Sequence, residues 1–205
     1  MRMALLTISR ARGWTAAVPA LLVALVVAAC TRQLWVPVPL ADGARTTALL
    51  VGALHPALAS VLVIDHVPGL STTLARERLM RALELGGFWL ANGAMAAILS
   101  AGGDAAHHLF QLTSSLLLAD MALILASTMG TTGVLGSCLA AVAWVVGAGT
   151  LATALGYSDG AVTATSLPGW RLQPRHLWQM AVLIAVGTVT SLHVMAARHN
   201  TRATH

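Results

Sequence analysis

Apolar residues occur in long blocks separated by short polar segments. The blocks fall at about 14–30, 46–64, 82–101, 108–129, 132–156 and 177–197. Each approaches the ~20 residues that span ~30 Å of hydrocarbon at 1.5 Å per residue. Backbone polar groups in lipid must be satisfied within the segment, so runs of this length predict helices. The reading is an all-α polytopic membrane protein: one transmembrane domain over 1–205, with six transmembrane helices. The first block follows MRMALLTISRARG and ends in Val27-Ala28-Ala29-Cys30. That pattern has the elements of a signal peptide with a lipidated cysteine. A retained first helix is the preferred reading, because membrane helices and no soluble domain follow.

The polar segments set an orientation. With the N-terminus inside, the inner segments hold Arg2, Arg10, Arg12, Arg76, Arg78, Arg81, Arg198 and Arg202. The outer ones hold Arg32, Arg45, Arg171 and Arg175. This excess predicts both termini inside (N-in, C-in). Three connections exceed turns: 31–45, which is proline-rich; 65–81 on the inner side; and 157–176 on the outer side. In 65–81, Pro68-Gly69 breaks the second helix. Ser71-Thr72-Thr73 then caps LARERLMR, with Leu74, Leu79 and Met80 on one side and Arg76, Glu77, Arg78 and Arg81 on the other. A short amphipathic cytoplasmic helix between helices two and three is expected. It would act either as a lipid-surface anchor or as a coupling element for a cytosolic partner.

Composition sharpens the exclusions. The chain is 57% hydrophobic and 9% charged, far from the quarter charged of soluble domains. All 12 basic residues are arginine. Without lysine there is no standard nucleotide-binding loop and no Schiff-base chemistry. The net charge of +5 is spread between apolar blocks, which fits a membrane surface and no nucleic acid. Cys30 and Cys138 lie in no metal-binding spacing and are expected to be free.

Polar residues inside the blocks are the candidate functional groups. Asp120 sits mid-helix among Leu116, Leu117, Leu118, Ala122 and Leu123. An ionised carboxylate there costs about 2.5–3.5 kcal/mol on insertion scales. It is expected either to pack against a Ser, Thr or Asn92, or to line a pathway or carry protons. His55 precedes Pro56 mid-helix, and a pairing of His55 with His193 is the arrangement that would hold haem b between helices. Polar packing is the preferred role. His107-His108 beside Asp104 raise an exposed metal site, which two adjacent histidines rarely form. Small residues at Gly133, Gly136, Ala140, Ala143 and Gly147, and at Gly187 and Ser191, predict close helix packing. Trp14, Trp35, Trp170 and Trp178 fall near predicted interfaces.

The whole layout, with TTLARERLMRALEL at 72–85 and PGWRLQPRHLWQ at 168–179, resembles an ABC-2 type exporter permease. The likeness is to short actinobacterial subunits whose ATPase is a separate chain. It implies a non-enzymatic subunit of the bacterial inner membrane, paired with a second permease half, identical or different. Cytosolic ATPase subunits would carry ATP and Mg, with no cofactor on this chain. It makes 71–81 the coupling helix (Arg76, Glu77, Arg78, Arg81), 2–12 an interfacial helix and 158–176 an outer gate. Asp120, Asn92 and His55 become pathway or interhelical groups. The competing readings are a haem-binding redox subunit and a non-catalytic scaffold.

Overall fold

A computed structural model describes residues 13–38, 44–64, 77–157, 162 and 172–196. Six helices run through the described residues: α1 (Trp14–Cys30), α2 (Thr47–Ser60), α3 (Glu77–Ser100), α4 (Ala105–Met129), α5 (Thr131–Ala154) and α6 (Pro174–Ala196). Two short strands, β1 (Trp35–Pro37) and β2 (Ala44–Thr46), pair antiparallel between α1 and α2, with Val36 opposite Arg45. The sequence reading had no strand there. Three-residue strands carry too little alternation to be read, and Pro37 suggests a breaker.

Local chemistry fixes several helix ends. The Thr46 hydroxyl accepts from Leu49 N–H at 3.3 Å at the start of α2, and Asp104 accepts from His107 N–H at 2.8 Å at the start of α4. These caps satisfy donors that the first helical turn leaves orphaned. Gly130 ends α4 and starts α5 in a single residue, at φ 60° and ψ −132°. A side chain there would strain the backbone.

The helices alternate in direction. One end of the bundle carries the α4–α5 turn, the end of α2 and the start of α3; the other carries the β-hairpin. Helices α2 and α4 are central. α2 packs on α1, α3, α4 and α5, and α4 packs on α2, α3, α5 and α6. α2 is rich in small residues: Ala48, Gly52, Ala53, Ala57, Ala59 and Ser60 are all buried. Small side chains let neighbouring helices approach closely, which in lipid replaces the hydrophobic drive of water. α1 buries only the stripe Ala17, Leu21, Ala24 and Ala28, and α6 buries only His176 and Gly187. Their remaining surface is apolar and exposed, including Leu22, Val26, Trp178, Val189 and Leu192.

Helices α3 to α6 contain spans long and apolar enough to cross a membrane. α1 and α2 are shorter. At 14 residues, α2 covers about 21 Å, followed by a turn at 61–63. α2 is largely enclosed by its neighbours; among its large apolar residues only Leu54 and Leu58 are exposed.

Two expectations change here. No separate short helix precedes α3 over 77–81; α3 is continuous from Glu77. No glycine or proline interrupts the chain between Ser71 and Leu85, so the polar first turns simply extend the apolar helix. The packing stripe of α5 is also shifted. It runs through Gly133, Ser137, Ala141, Trp144, Ala148 and Ala152, while Ala143 is exposed and Gly147 faces open space.

Candidate functional site

The apolar bundle holds four polar places, each positioned by a different pair of helices. The first is the corner where α2 meets α3. Arg81 is buried, and its guanidinium donates to the Val63 carbonyl at 3.0 Å and to Glu84 at 3.2 Å. Arg81, Glu84, Leu85, Phe88, Asn92, Met95 and Ala96 are all buried. They recur at three and four residues, so Arg81 lies on the packed stripe of α3. Of the four coupling residues read from sequence, Arg81 is therefore placed inward. Arg76 lies outside the described residues. Glu77 and Arg78 open α3, one turn before Arg81. The 2–12 segment, most of the outer loop 158–176 and Trp170 also lie outside the described residues.

The second place is higher in the bundle, between α2 and α3. His55 is fully buried, and its Nδ1 lies 3.4 Å from Asn92 Oδ1. The Asn92 amide donates to the Phe88 carbonyl at 2.9 Å. His55 Nε2 is buried without a hydrogen-bond partner among the described residues. His55 and Asn92 thus face each other between α2 and α3. His193 is exposed on α6, so the structure does not bring these two histidines to a shared face.

The third is Asp120 on α4. It is 2% exposed, and neither carboxylate oxygen has a hydrogen-bond partner among the described residues. The expected contact to a Ser, Thr or Asn92 is not made among the described residues, and Asn92 turns toward α2 beside His55. Asp120 instead faces Gly187 on α6. A Cβ built on Gly187 would stand 2.5 Å from Asp120 Oδ1 and 2.9 Å from the Trp89 ring. Trp89 Nε1 donates to Ser191 Oγ at 3.0 Å, closing a small interface among α3, α4 and α6.

The fourth is the hairpin end. A cavity of about 490 Å³ lies between the hairpin, α2 and α4, lined among others by Arg32, Gln33, Thr46, His107 and Gln111. His107 Nε2 donates to the Leu99 carbonyl at 2.9 Å, so that nitrogen is engaged. His107 and His108 rings are 6.4 Å apart and tilted by 57°. Among the described residues no three His, Cys, Asp or Glu are grouped to hold a metal ion. Cys30 and Cys138 are free thiols.

Sequence reasoning missed one further cluster. Tyr157 stacks on His176 at 4.5 Å, meets Phe110 edge-on, and shares a 3.2 Å hydrogen bond with Thr113. Phe110 in turn stacks on Trp144. Burial pushes the Tyr157 phenol's pKa up, so it remains a neutral hydrogen-bonding group. Nearby, Arg175 donates to the Gly156 carbonyl and Gln179 to the Leu155 carbonyl. Together they tie the end of α5 to the start of α6. The only signal was a lone tyrosine beside a run of apolar helix.

No protein-family model, curated protein or solved structure matches the chain. The apolar helices and their composition define its class: a helical, multi-pass membrane protein.

Proposed function

We propose that the chain is the membrane-spanning subunit of an ATP-driven exporter. In this reading all six helices cross the bacterial inner membrane, with both termini on the cytoplasmic side. A second permease half completes the translocation pathway. Separate cytosolic subunits bind ATP and Mg and hydrolyse the nucleotide, and this chain is not itself an enzyme.

The observation that carries the proposal is the Arg81 corner. One guanidinium joins the chain just after α2, through the Val63 carbonyl, to the first turns of α3, through Glu84. A force applied to the intervening 65–76 segment is thereby delivered to both helices together. α2 is packed on four neighbours, so its displacement reaches most of the bundle. Tightly packed interiors transmit such shifts as rigid-body movement. A lipid anchor alone would not require a buried, ion-paired arginine at this point.

The test is purification of the tagged full-length chain from its native membrane in a mild detergent. The expected result is an ATPase polypeptide in the complex, with hydrolysis lost when the chain is stripped to purity. Hydrolysis by the pure chain, or a complex lacking any ATPase, refutes the proposal.

A further inference from the structure

We propose that the crevice between α3, α4 and α6 binds a lipophilic organic cation that enters sideways from the bilayer. The crevice encloses about 370 Å³ and is lined by Trp89, Leu116, Ile184, Gly187, Thr188 and Ser191, among others. Ile184 and Leu192 at its rim are exposed, so its mouth faces outward along α6, toward acyl chains in a membrane. Trp89, Asp120 and Gly187 each lie near the middle of their own helix. The crevice is therefore at mid-span.

Its chemistry is asymmetric. The walls are largely apolar, two hydroxyls (Thr188 and Ser191) line one side, and the Trp89 ring lies beside Gly187. Behind Gly187 is the Asp120 carboxyl, 2% exposed and without a hydrogen-bond partner among the described residues. Leu116 precedes Asp120 by one helical turn, so the lining and the carboxyl share one face of α4. A glycine at 187 is the thinnest partition the chain can place there, since any Cβ would meet both Asp120 and Trp89. A carboxylate in hydrocarbon is stable only when protonated or given a counter-ion. No described residue supplies a cation at this point. A ligand carrying a positive charge on an apolar body fits these elements: its body replaces lipid against the walls, and its charge faces Asp120 across the Gly187 backbone. An anionic ligand would repel an ionised Asp120.

As the cargo site of an exporter, this assignment rests on the function proposed above, but binding itself needs no ATPase. The experiment is equilibrium dialysis of the purified full-length chain in detergent against tetraphenylphosphonium, with tetraphenylborate as a probe of like shape and opposite charge. Asp120→Asn keeps the side-chain shape and removes the charge. Ile184→Trp, at the exposed rim, fills the mouth and leaves Asp120 in place. The expected result is saturable binding of the cation at one site per chain, weakened about tenfold or more by either variant, a loss of at least about 1.4 kcal/mol. The anion should show no saturable site. Equal binding of both ions, no saturable cation binding, or cation binding unchanged in either variant overturns the assignment. Cation binding by a chain that recruits no ATPase keeps the site and removes only the exporter role.

Discussion

The Arg81–Glu84 pair lies within the first turns of α3, and the same guanidinium reaches the Val63 carbonyl just beyond α2. Both side chains are nearly inaccessible, at 8% and 0% exposure. Removing one member of a buried ion pair leaves the other charge stranded, at a cost of about 3–5 kcal/mol. Arg81→Ala should therefore destabilise the protein by that order in a denaturant titration in mixed micelles. Replacing both residues by leucine should recover much of the loss, because no charge remains buried. A single substitution within about 0.5 kcal/mol of wild type, the range of ordinary surface changes, would mean that the pair is solvated and that the corner is not clamped. The sequence assigned Arg81 to a polar face because it was grouped with Arg76 and Arg78. The periodic signal that Arg81 continues through Glu84, Leu85 and Phe88 was present, but the hydropathy drop before Arg81 obscured it. Asp120 and the His55–Asn92 region were legible as polar groups in apolar helices. Their partners were not, since pairing depends on helix rotation, which one sequence leaves undetermined.

At the scale of elements, the apolar runs located all six helices. Five match the expected runs to within a few residues at each end, and α3 begins five residues earlier than its run. The details of contact were harder to read. On α5 the small residues are so frequent that several stripes are compatible with the sequence. The stripe that packs is the one headed by Gly133, where an added Cβ would collide with the backbone of α4 at Leu125 and Ala126. Gly147 has nothing within 4 Å. The two glycines should respond oppositely to substitution. Gly133→Val should open the α4–α5 hairpin and lower the thermal midpoint in detergent markedly. Gly147→Ala should leave it unchanged or raise it, since alanine gains up to about 1 kcal/mol over glycine in a helix. Equal losses at both positions would show that α5 packs through a different face.

The whole molecule is a layered bundle in which α2 and α4 form the interior and α1 and α6 present apolar flanks. The proposed orientation, with both termini inside, rests on the arginine distribution along the chain. Single cysteines in a Cys30→Ser, Cys138→Ser background give a direct check. Gln33→Cys at the hairpin end should label from outside intact cells. Thr132→Cys beside the α4–α5 turn should label only after the membrane is opened. The reverse pattern would place the arginine-rich segments outside and exclude an inner-membrane coupling corner.

That corner, where segment 65–76 feeds the Arg81 clamp, is the centre of the functional account. The decisive measurement is association of the proposed ATPase partner with an Arg76→Glu, Arg78→Glu double variant, in detergent free of anionic lipid. Charge reversal at a docking contact disturbs register and encounter, and leaves the hydrocarbon-buried fold alone. An anchoring role would be worth only about 1 kcal/mol per arginine, and only where anionic lipid is present. The account predicts that the double variant folds, loses most of its bound ATPase and loses the hydrolysis that travels with it. Full ATPase association and unchanged hydrolysis in the double variant would contradict it.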